Sequence, residues 1–348
     1  MTTPTTPAIP AALPSAMPWA ETWPLIQAAQ TIILLTHVIP DGDAMGSLMG
    51  ITHALTPLGK TLIPAVDGGT PGYLSYIPAS DQVRADLKGV TQADLIISVD
   101  ASDVQRLGAV GKQALALGVP LIMVDHHRTN THFGTINLLQ PETASCAEVI
   151  FDWIAALGLP LTAEIAWSLL TGIVTDTLCF RTNQVTTDTL EKASQLMAAG
   201  ASLSDIAQQT VNRRSMGAFR LWAQVLPTMQ TEDRVIWAVV DAQALKAAQY
   251  TEEGGAGGLV QLLNEADGAD VAAVFREKSD GMIELHLRAQ PGFNVASVAL
   301  SLGGGGHVLA SGATIPGPLA DAVARVIPLL KAAVSTGIAA RNAAVVTP

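Results

Sequence analysis

The chain has 348 residues and a formal net charge of −11, with 19 Lys and Arg against 30 Asp and Glu. That length accommodates two domains with cores of their own, and that charge argues against an extended basic face gripping long nucleic acid by neutralising its phosphates. Two cysteines, Cys146 and Cys179, exclude a disulfide framework and paired zinc thiolates, so a reducing cytoplasm is the expected compartment.

No Lys or Arg precedes Lys60, so the basic start of a secretory leader is missing, and no uninterrupted apolar run is long enough for a bilayer. Residues 1–23 are rich in Thr, Pro and Ala and read as a disordered tail. Thr31 to Leu35 reads as a buried strand and Leu48 to Leu58 as a helix. The loop between them, Thr36 to Ser47, carries His37, Asp41 and Asp43 beyond the carboxyl end of a strand. One imidazole and two carboxylates so placed have the composition of a metal site. On the loop alone, a polar turn with an N-cap around Gly42 accounts for them equally well.

Thr61 to Val66 is a short strand and Gly68 to Ser80 a loop. Asp94 to Val99 is an apolar run ending in Asp100, and Pro120 to Val124 is another ending in Asp125-His126-His127, with a helix around Ala114 to Leu117 between them. Strand, helix, strand at this spacing predicts a parallel sheet, whose carboxyl ends converge His37, Asp100 and the triplet on one rim. Isolated carboxylates are costly at such a mouth unless paired or bound to metal. Ala144 to Leu157 and Leu161 to Gly172 are helical in pattern. The second runs into Asp176, which is either another carboxylate of the site or part of an ordinary helix-end turn, with Arg181 close behind. Residues 188–226 read as helices of a connector.

From about residue 230 the pattern changes to strands at Val235 to Asp241, Asp270 to Arg276 and Met282 to Arg288, with helices near Leu259 to Glu265 and Pro318 to Val334, a second α/β domain. Its distinctive feature is Gly303 to Gly306 followed by His307. Glycines there allow the amides of Gly304, Gly305 and Gly306 to close around a phosphate, with His307 and Arg288 as donors. Ser311 and Arg181 complete the expected substrate contacts. Gly254 to Gly258 reads as a plain turn.

The set His37, Pro40, Asp41, Asp43 and Gly46, then Asp100, then Asp125-His126-His127, then Thr175-Asp176-Thr177, resembles the four ordered motifs of the DHH phosphoesterase superfamily. The Gly303 to His307 run with Ala310-Ser311-Gly312 looks like the DHH-associated domain of the bifunctional oligoribonuclease and PAP phosphatase group. The resemblance implies a catalytic domain over 24–200, a helical connector over 201–229, a smaller substrate-binding α/β domain over 230–335 and a tail over 336–348. It implies two divalent ions, Mn2+ with Mg2+ as the alternative. His37, Asp41 and Asp100 would hold one ion; Asp43, Asp100, His126 and Asp176 would hold the other. Asp100 would bridge them, Asp125 would orient an imidazole, and His127 would face the substrate phosphate. The sequence departs from the family pattern at Leu178-Cys179, where glycine and small or aromatic residues are common. The implied activity is two-metal hydrolysis of short oligoribonucleotides or 3'-phosphoadenosine 5'-phosphate (PAP), with cyclic di-AMP or pApA as the alternative substrate. A nucleotide-binding protein without catalysis is the alternative of another class. No long duplex or membrane partner is expected, and a homodimer is compatible with the sequence.

Overall fold

The computed structural model describes residues 17–210, 214–250 and 258–346, and the chain divides into two units between residues 213 and 214. The first comprises α1 (Trp19–Ala28), β1 (Thr31–Leu35), α2 (Gly42–Leu55), β2 (Thr61–Ala65), β3 (Leu95–Val99), α3 (Gly108–Leu115), β4 (Leu121–Asp125), β5 (Ile136–Leu139), α4 (Cys146–Ala156), α5 (Ala163–Asp176), α6 (Thr187–Ala198) and α7 (Leu203–Gln209). Its five strands are parallel, in the order β2-β1-β3-β4-β5. The strands read as continuous apolar runs because both faces are covered. Ile32, Leu34, Ile97 and Val124 share a core with Met45, Leu48, Ile150 and Leu169 of α2, α4 and α5. Ile33, Leu35, Ile96 and Met123 pack on the opposite side with Val110 and Ala114 of α3. The chain leaves β1 for β2 on one side and returns with β3 on the other, so β1 and β3 flank the crevice where an open sheet binds ligands.

α2 and α5 approach closely because α2 presents glycine every fourth residue. A Cβ on Gly46 would lie 2.4 Å from the Ser168 carbonyl oxygen, and one on Gly50 would lie 2.5 Å from Leu169. From the other helix, a Cβ on Gly172 would lie 2.5 Å from Asp43 Oδ1. These glycines therefore set how far the helix carrying Asp43 stands from the one ending in Asp176.

The second unit comprises α8 (Met216–Val225), β6 (Gln230–Glu232), β7 (Val235–Val240), α9 (Ala242–Ala248), α10 (Leu259–Asn264), β8 (Val271–Glu277), β9 (Met282–Ala289), α11 (Ala296–Ser301), β10 (Gly305–His307), β11 (Ala310–Pro316) and α12 (Leu319–Val346). Its sheet order is β10-β11-β9-β8-β7-β6, antiparallel except for β7 with β8. Along β9, Ile283, Leu285, Leu287 and Ala289 are buried with Val298, Val326 and Leu330 of α11 and α12. Glu284, His286 and Arg288 alternate with them and take the other face.

Several expectations shift. Residues 19–23 are helical rather than part of a tail, because Trp19, Thr22 and Ile26 are buried and Trp153 Nε1 donates to Thr22 Oγ1 at 2.9 Å. Residues 1–16 and Gly254 to Gly257 lie outside the described residues. The expected connector divides: Ile206 of α7 joins the first core, whereas Ala218 and Leu221 of α8 join the second. The expected tail over 336–348 is helical to Val346, where Arg341 stacks 4.3 Å from the Phe293 ring centroid and donates to the Pro291 carbonyl. Leu319–Ala343 is also long and apolar enough, by length and composition alone, to cross a bilayer, although Asp321, Arg325, Lys331 and Arg341 interrupt its apolar run. Its Ala322, Val326, Ile327, Leu330 and Val334 are nonetheless buried on the second sheet, as in a core helix.

Candidate metal centre

The carboxyl ends of β1, β3 and β4 deliver the expected side chains to one place. His37 follows β1, Asp100 follows β3, and Asp125-His126-His127 closes β4. Asp41 and Asp43 come from the start of α2, and Asp176 from the last residue of α5. The ligand atoms of His37, Asp41 and Asp100 lie within 4.8 Å of one another, as do those of Asp43, His126 and Asp176. Asp100 joins the groups: its Oδ2 is 3.6 Å from His37 Nε2 and its Oδ1 3.7 Å from His126 Nε2. The backbone at Asp100 is left-handed (φ 55°), a conformation that costs a non-glycine residue about 1–3 kcal/mol and is held here by the surrounding fold.

Asp41 takes the N-cap role in the first loop and also stays beside the cluster. It is the N-cap of α2, its Oδ1 accepting from Asp43 N and Ala44 N at 3.1 and 3.0 Å, while its exposed carboxylate stays 4.0 Å from His37 Nε2. Asp43 is buried and held from another element. Its Oδ2 accepts from Cys146 N at 2.6 Å, and its Oδ1 accepts from Ala147 N at 3.0 Å and Ser47 Oγ at 3.2 Å. The N-terminus of α4 thus supports this carboxylate with amide donors and its dipole.

The second nitrogens of the histidines fix how their rings face the carboxylates. His37 Nδ1 lies 2.8 Å from the Val38 carbonyl oxygen, so it carries the proton and leaves the Nε2 lone pair toward Asp100 and Asp41. His126 Nδ1 faces the Thr143 carbonyl at 3.4 Å, turning Nε2 toward Asp176 at 3.4 Å and Asp43 at 3.9 Å. His127 Nδ1 donates to Asp125 Oδ1 at 2.7 Å. Asp125 therefore orients His127, and it does so from a fully buried position.

Crowding decides the charges. Burial and the Asp100 charge push the Asp43 carboxyl up to about 8. Loss of hydration, with Asp43, Asp41 and Asp100 nearby, raises Asp176 well above the usual carboxylate range. Burial opposes ionisation of Asp100 too, but His37, His127 and His126 outweigh it and pull its pKa down. Burial lowers His37 and His126, and the Asp100 charge more than restores them.

These residues fit a divalent pair. Asp100 Oδ1 is buried without a hydrogen-bond donor, an arrangement that is costly unless something positive occupies it. The donors are carboxylate oxygens and imidazole nitrogens without thiolate, a set that suits Mn2+ or Mg2+. Cys146 Sγ points instead to the Val124 carbonyl at 3.4 Å.

The turn after Asp176 is left-handed at Leu178, Cys179 and Phe180, with φ of 50°, 60° and 62°. It is tied down by Cys179 N to Val174 O at 2.7 Å and Phe180 N to Thr177 Oγ1 at 2.9 Å. Such a turn accounts for why glycine suits this position in the resembling family. Arg181, an expected substrate contact, donates from Nε to the Leu178 carbonyl at 2.8 Å.

In the second unit, registry places Arg288 opposite Ala310 and Ala310 opposite His307, so Arg288 and His307 share one sheet face. Arg288 is largely buried, donates to the Leu287 carbonyl at 2.9 Å, and has no carboxylate ion-pair partner among the described residues. Two expectations are corrected. The Gly304 to Gly306 stretch is not an open amide cradle: Gly304 N bonds to Ala299 O at 2.8 Å, and Gly305 and Gly306 pair with β11. A Cβ on Gly304 would lie 2.1 Å from Gly312 O, so Gly304 permits close strand contact, whereas Gly305 and Gly306 lie exposed in the edge strand β10. Ser311 is buried, its hydroxyl donating to His307 O at 2.6 Å to close the hairpin. Sequence reasoning missed Ser47, Asn130 and the α4 amides; of these, only Ser47, four residues after Asp43 on a helix, had a readable spacing.

Residues 31–173 match the DHH family, N-terminal domain, and residues 233–336 match the DHHA1 domain. The bifunctional oligoribonuclease and PAP phosphatase NrnA of Thermus thermophilus is 33% identical over 294 residues, covering 82% of this chain and 84% of that protein. The cyclic-di-AMP phosphodiesterase PdeA of Listeria monocytogenes is 24% identical over 305 residues, but only 44% of that protein is covered. Among solved structures, an exopolyphosphatase-related protein from Bacteroides fragilis superposes with a TM-score of 0.85 at 25% identity, covering 91% of this chain and 97% of that one.

Proposed function

The chain belongs to the DHH family, and on that premise we propose that it hydrolyses short oligoribonucleotides and PAP with two divalent ions, Mn2+ first and Mg2+ as the substitute. The observation carrying this reading is Asp100, whose two oxygens face two separate donor groups. His37, Asp41 and Asp100 would hold one ion, and Asp43, Asp100, His126 and Asp176 the other. Bound there, the pair would supply Lewis acidity toward a phosphoryl group and its attacking water. The protein's own part is positional. Asp125 fixes the His127 ring, which is thereby set to meet a phosphoryl oxygen, and the α4 amides keep Asp43 from rotating away.

Arg288 and His307 form the anion contact of the second unit, the largely buried guanidinium being poised for a phosphate because no carboxylate among the described residues pairs with it. Local positive charge of this kind reconciles nucleotide chemistry with a net charge of −11 and favours short substrates over long tracks. The two matched segments support a catalytic unit followed by a smaller substrate-binding unit, and the compartment that suits such substrates is the cytoplasm.

The test is the rate on short RNA, PAP, pApA and cyclic di-AMP with and without Mn2+, in the native chain and in Asp100→Asn. Metal-dependent turnover of the first two, abolished by the substitution in a folded protein, is expected. Turnover by Asp100→Asn near the native rate would refute the bridging role, and preference for cyclic di-AMP would move the substrate to the alternative. Stable nucleotide binding without turnover in the native chain would make it a binding protein.

A further inference from the structure

One buried side chain beside the centre has no part in the scheme so far. Asn130, in the loop after β4, is only 8% exposed and engages both ends of its carboxamide. Its Nδ2 donates to Asp125 Oδ2 at 2.6 Å and to the Ala101 carbonyl at 3.1 Å, and its Oδ1 accepts from His132 N at 2.8 Å. Its own amide donates to His127 O at 3.1 Å. Ala101 directly follows Asp100. One side chain therefore ties the exit of β3, which presents Asp100, to the exit of β4, which presents the triplet.

The donor count at Asp125 is uneven. Oδ1 receives His126 N at 2.8 Å, His127 N at 3.3 Å and His127 Nδ1 at 2.7 Å. Oδ2 receives Asn130 Nδ2. Asp125 is fully buried, so water does not replace a lost donor. Without Asn130, the carboxyl rotates to find a donor for its unsatisfied oxygen, and that rotation disturbs the bond that sets the tautomer and angle of His127.

We propose that Asn130 is a positioning residue for hydrolysis, acting on His127 through Asp125 rather than on the metal ligands; this rests on the phosphoesterase reading. Asn130→Asp keeps the shape and replaces the donor by an oxygen, whereas Asn130→Ser keeps a shorter donor. Four quantities decide: kcat, KM, the Mn2+ concentration for half-activation, and the hydrogen-bonded His127 Nδ1 proton in 15N-histidine spectra of the Mg2+-loaded chain. In Asn130→Asp, kcat falls about 10–100-fold, KM and half-activation stay within about threefold, and the His127 proton resonance is lost. Asn130→Ser keeps the resonance and recovers at least part of kcat. The proposal is overturned if Asn130→Asp leaves kcat or the resonance unchanged, or if KM or half-activation moves as far as kcat. The spectrum needs no turnover. A native chain without hydrolysis would therefore sink the phosphoesterase reading, while the coupling of Asn130 to His127 is still decided by the resonance.

Discussion

Asp43 Oδ2 accepts the amide hydrogen of Cys146 at 2.6 Å, across 103 residues of chain. Asp41, two residues earlier, instead caps its own helix. The two aspartates of one motif therefore answer differently to loss of charge. Asp41→Asn keeps the cap, since Asn is as good an N-cap as Asp, and stability should stay within about 0.5 kcal/mol while activity falls. Asp43→Asn sets an NH2 against an α4 amide, so it should lower stability by about 1–3 kcal/mol and also remove one bound metal equivalent. Urea unfolding of the metal-free variants and metal content after dialysis distinguish them. Equal stability losses would contradict the division of roles.

Gly46→Ala tests the spacing of α2 from α5. The added Cβ would meet Ser168 O at 2.4 Å and Gly172 N at 2.9 Å, both backbone atoms that cannot step aside as a side chain can. Overpacking of this kind costs about 1–3 kcal/mol. Because α2 carries Asp43 in its first turn and α5 ends with Asp176, turnover should fall further than stability alone requires. A variant with native stability would show that the helices separate freely.

Much of the centre was legible because its residues stand at the ends of apolar runs. His37, Asp100 and Asp125 each follow a strand whose hydrophobic pattern is local and unambiguous, and a parallel sheet then brings them together. The supports were not legible in this way. The amides of Cys146 and Ala147 become partners of Asp43 only once α4 packs across the sheet, and Asn130 acquires meaning only beside Ala101. The glycine run was not legible as a strand because four glycines carry no strand propensity; the pairing of Gly305 to His307 with Ala310 to Gly312 of β11 makes β10 a strand. β5, four residues at the sheet edge, was missed because so short a run shows no period.

Metal affinity should rise with pH toward about 8. In the metal-free protein the Asp43 carboxyl is pushed up to about 8, from an ordinary 3.8, by burial and the Asp100 charge, and Asp176 is raised as well. A folded-state pKa above the unfolded one means that the metal-free fold binds the extra proton, and this contribution is lost as pH rises through the folded value. A cation replaces that proton, so below about pH 8 binding releases protons and weakens by up to about tenfold per pH unit for each one displaced. The difference in Tm between Mn2+-loaded and EDTA-treated protein should therefore widen from about pH 5.5 to about 8 and then level off. A constant difference, or calorimetric proton uptake on binding at neutral pH, would contradict the raised carboxyls.

The second unit offers a test that separates contact from scaffold. Arg288 and His307 share a sheet face, with Arg288 lacking a carboxylate partner among the described residues, whereas the Ser311 hydroxyl is bonded to the His307 carbonyl. A charge-assisted contact to phosphate contributes about 1.5–3 kcal/mol, so Arg288→Ala should raise KM for pApA about 10–100-fold, with kcat at saturation and metal content little changed. His307→Ala should act in the same direction. Ser311→Ala removes only a hairpin bond, so KM should stay within about twofold while the Tm drops slightly. Equal KM values for the native chain and Arg288→Ala would remove the second unit from substrate binding. A large KM effect in Ser311→Ala with unchanged Tm would instead restore Ser311 as a substrate contact.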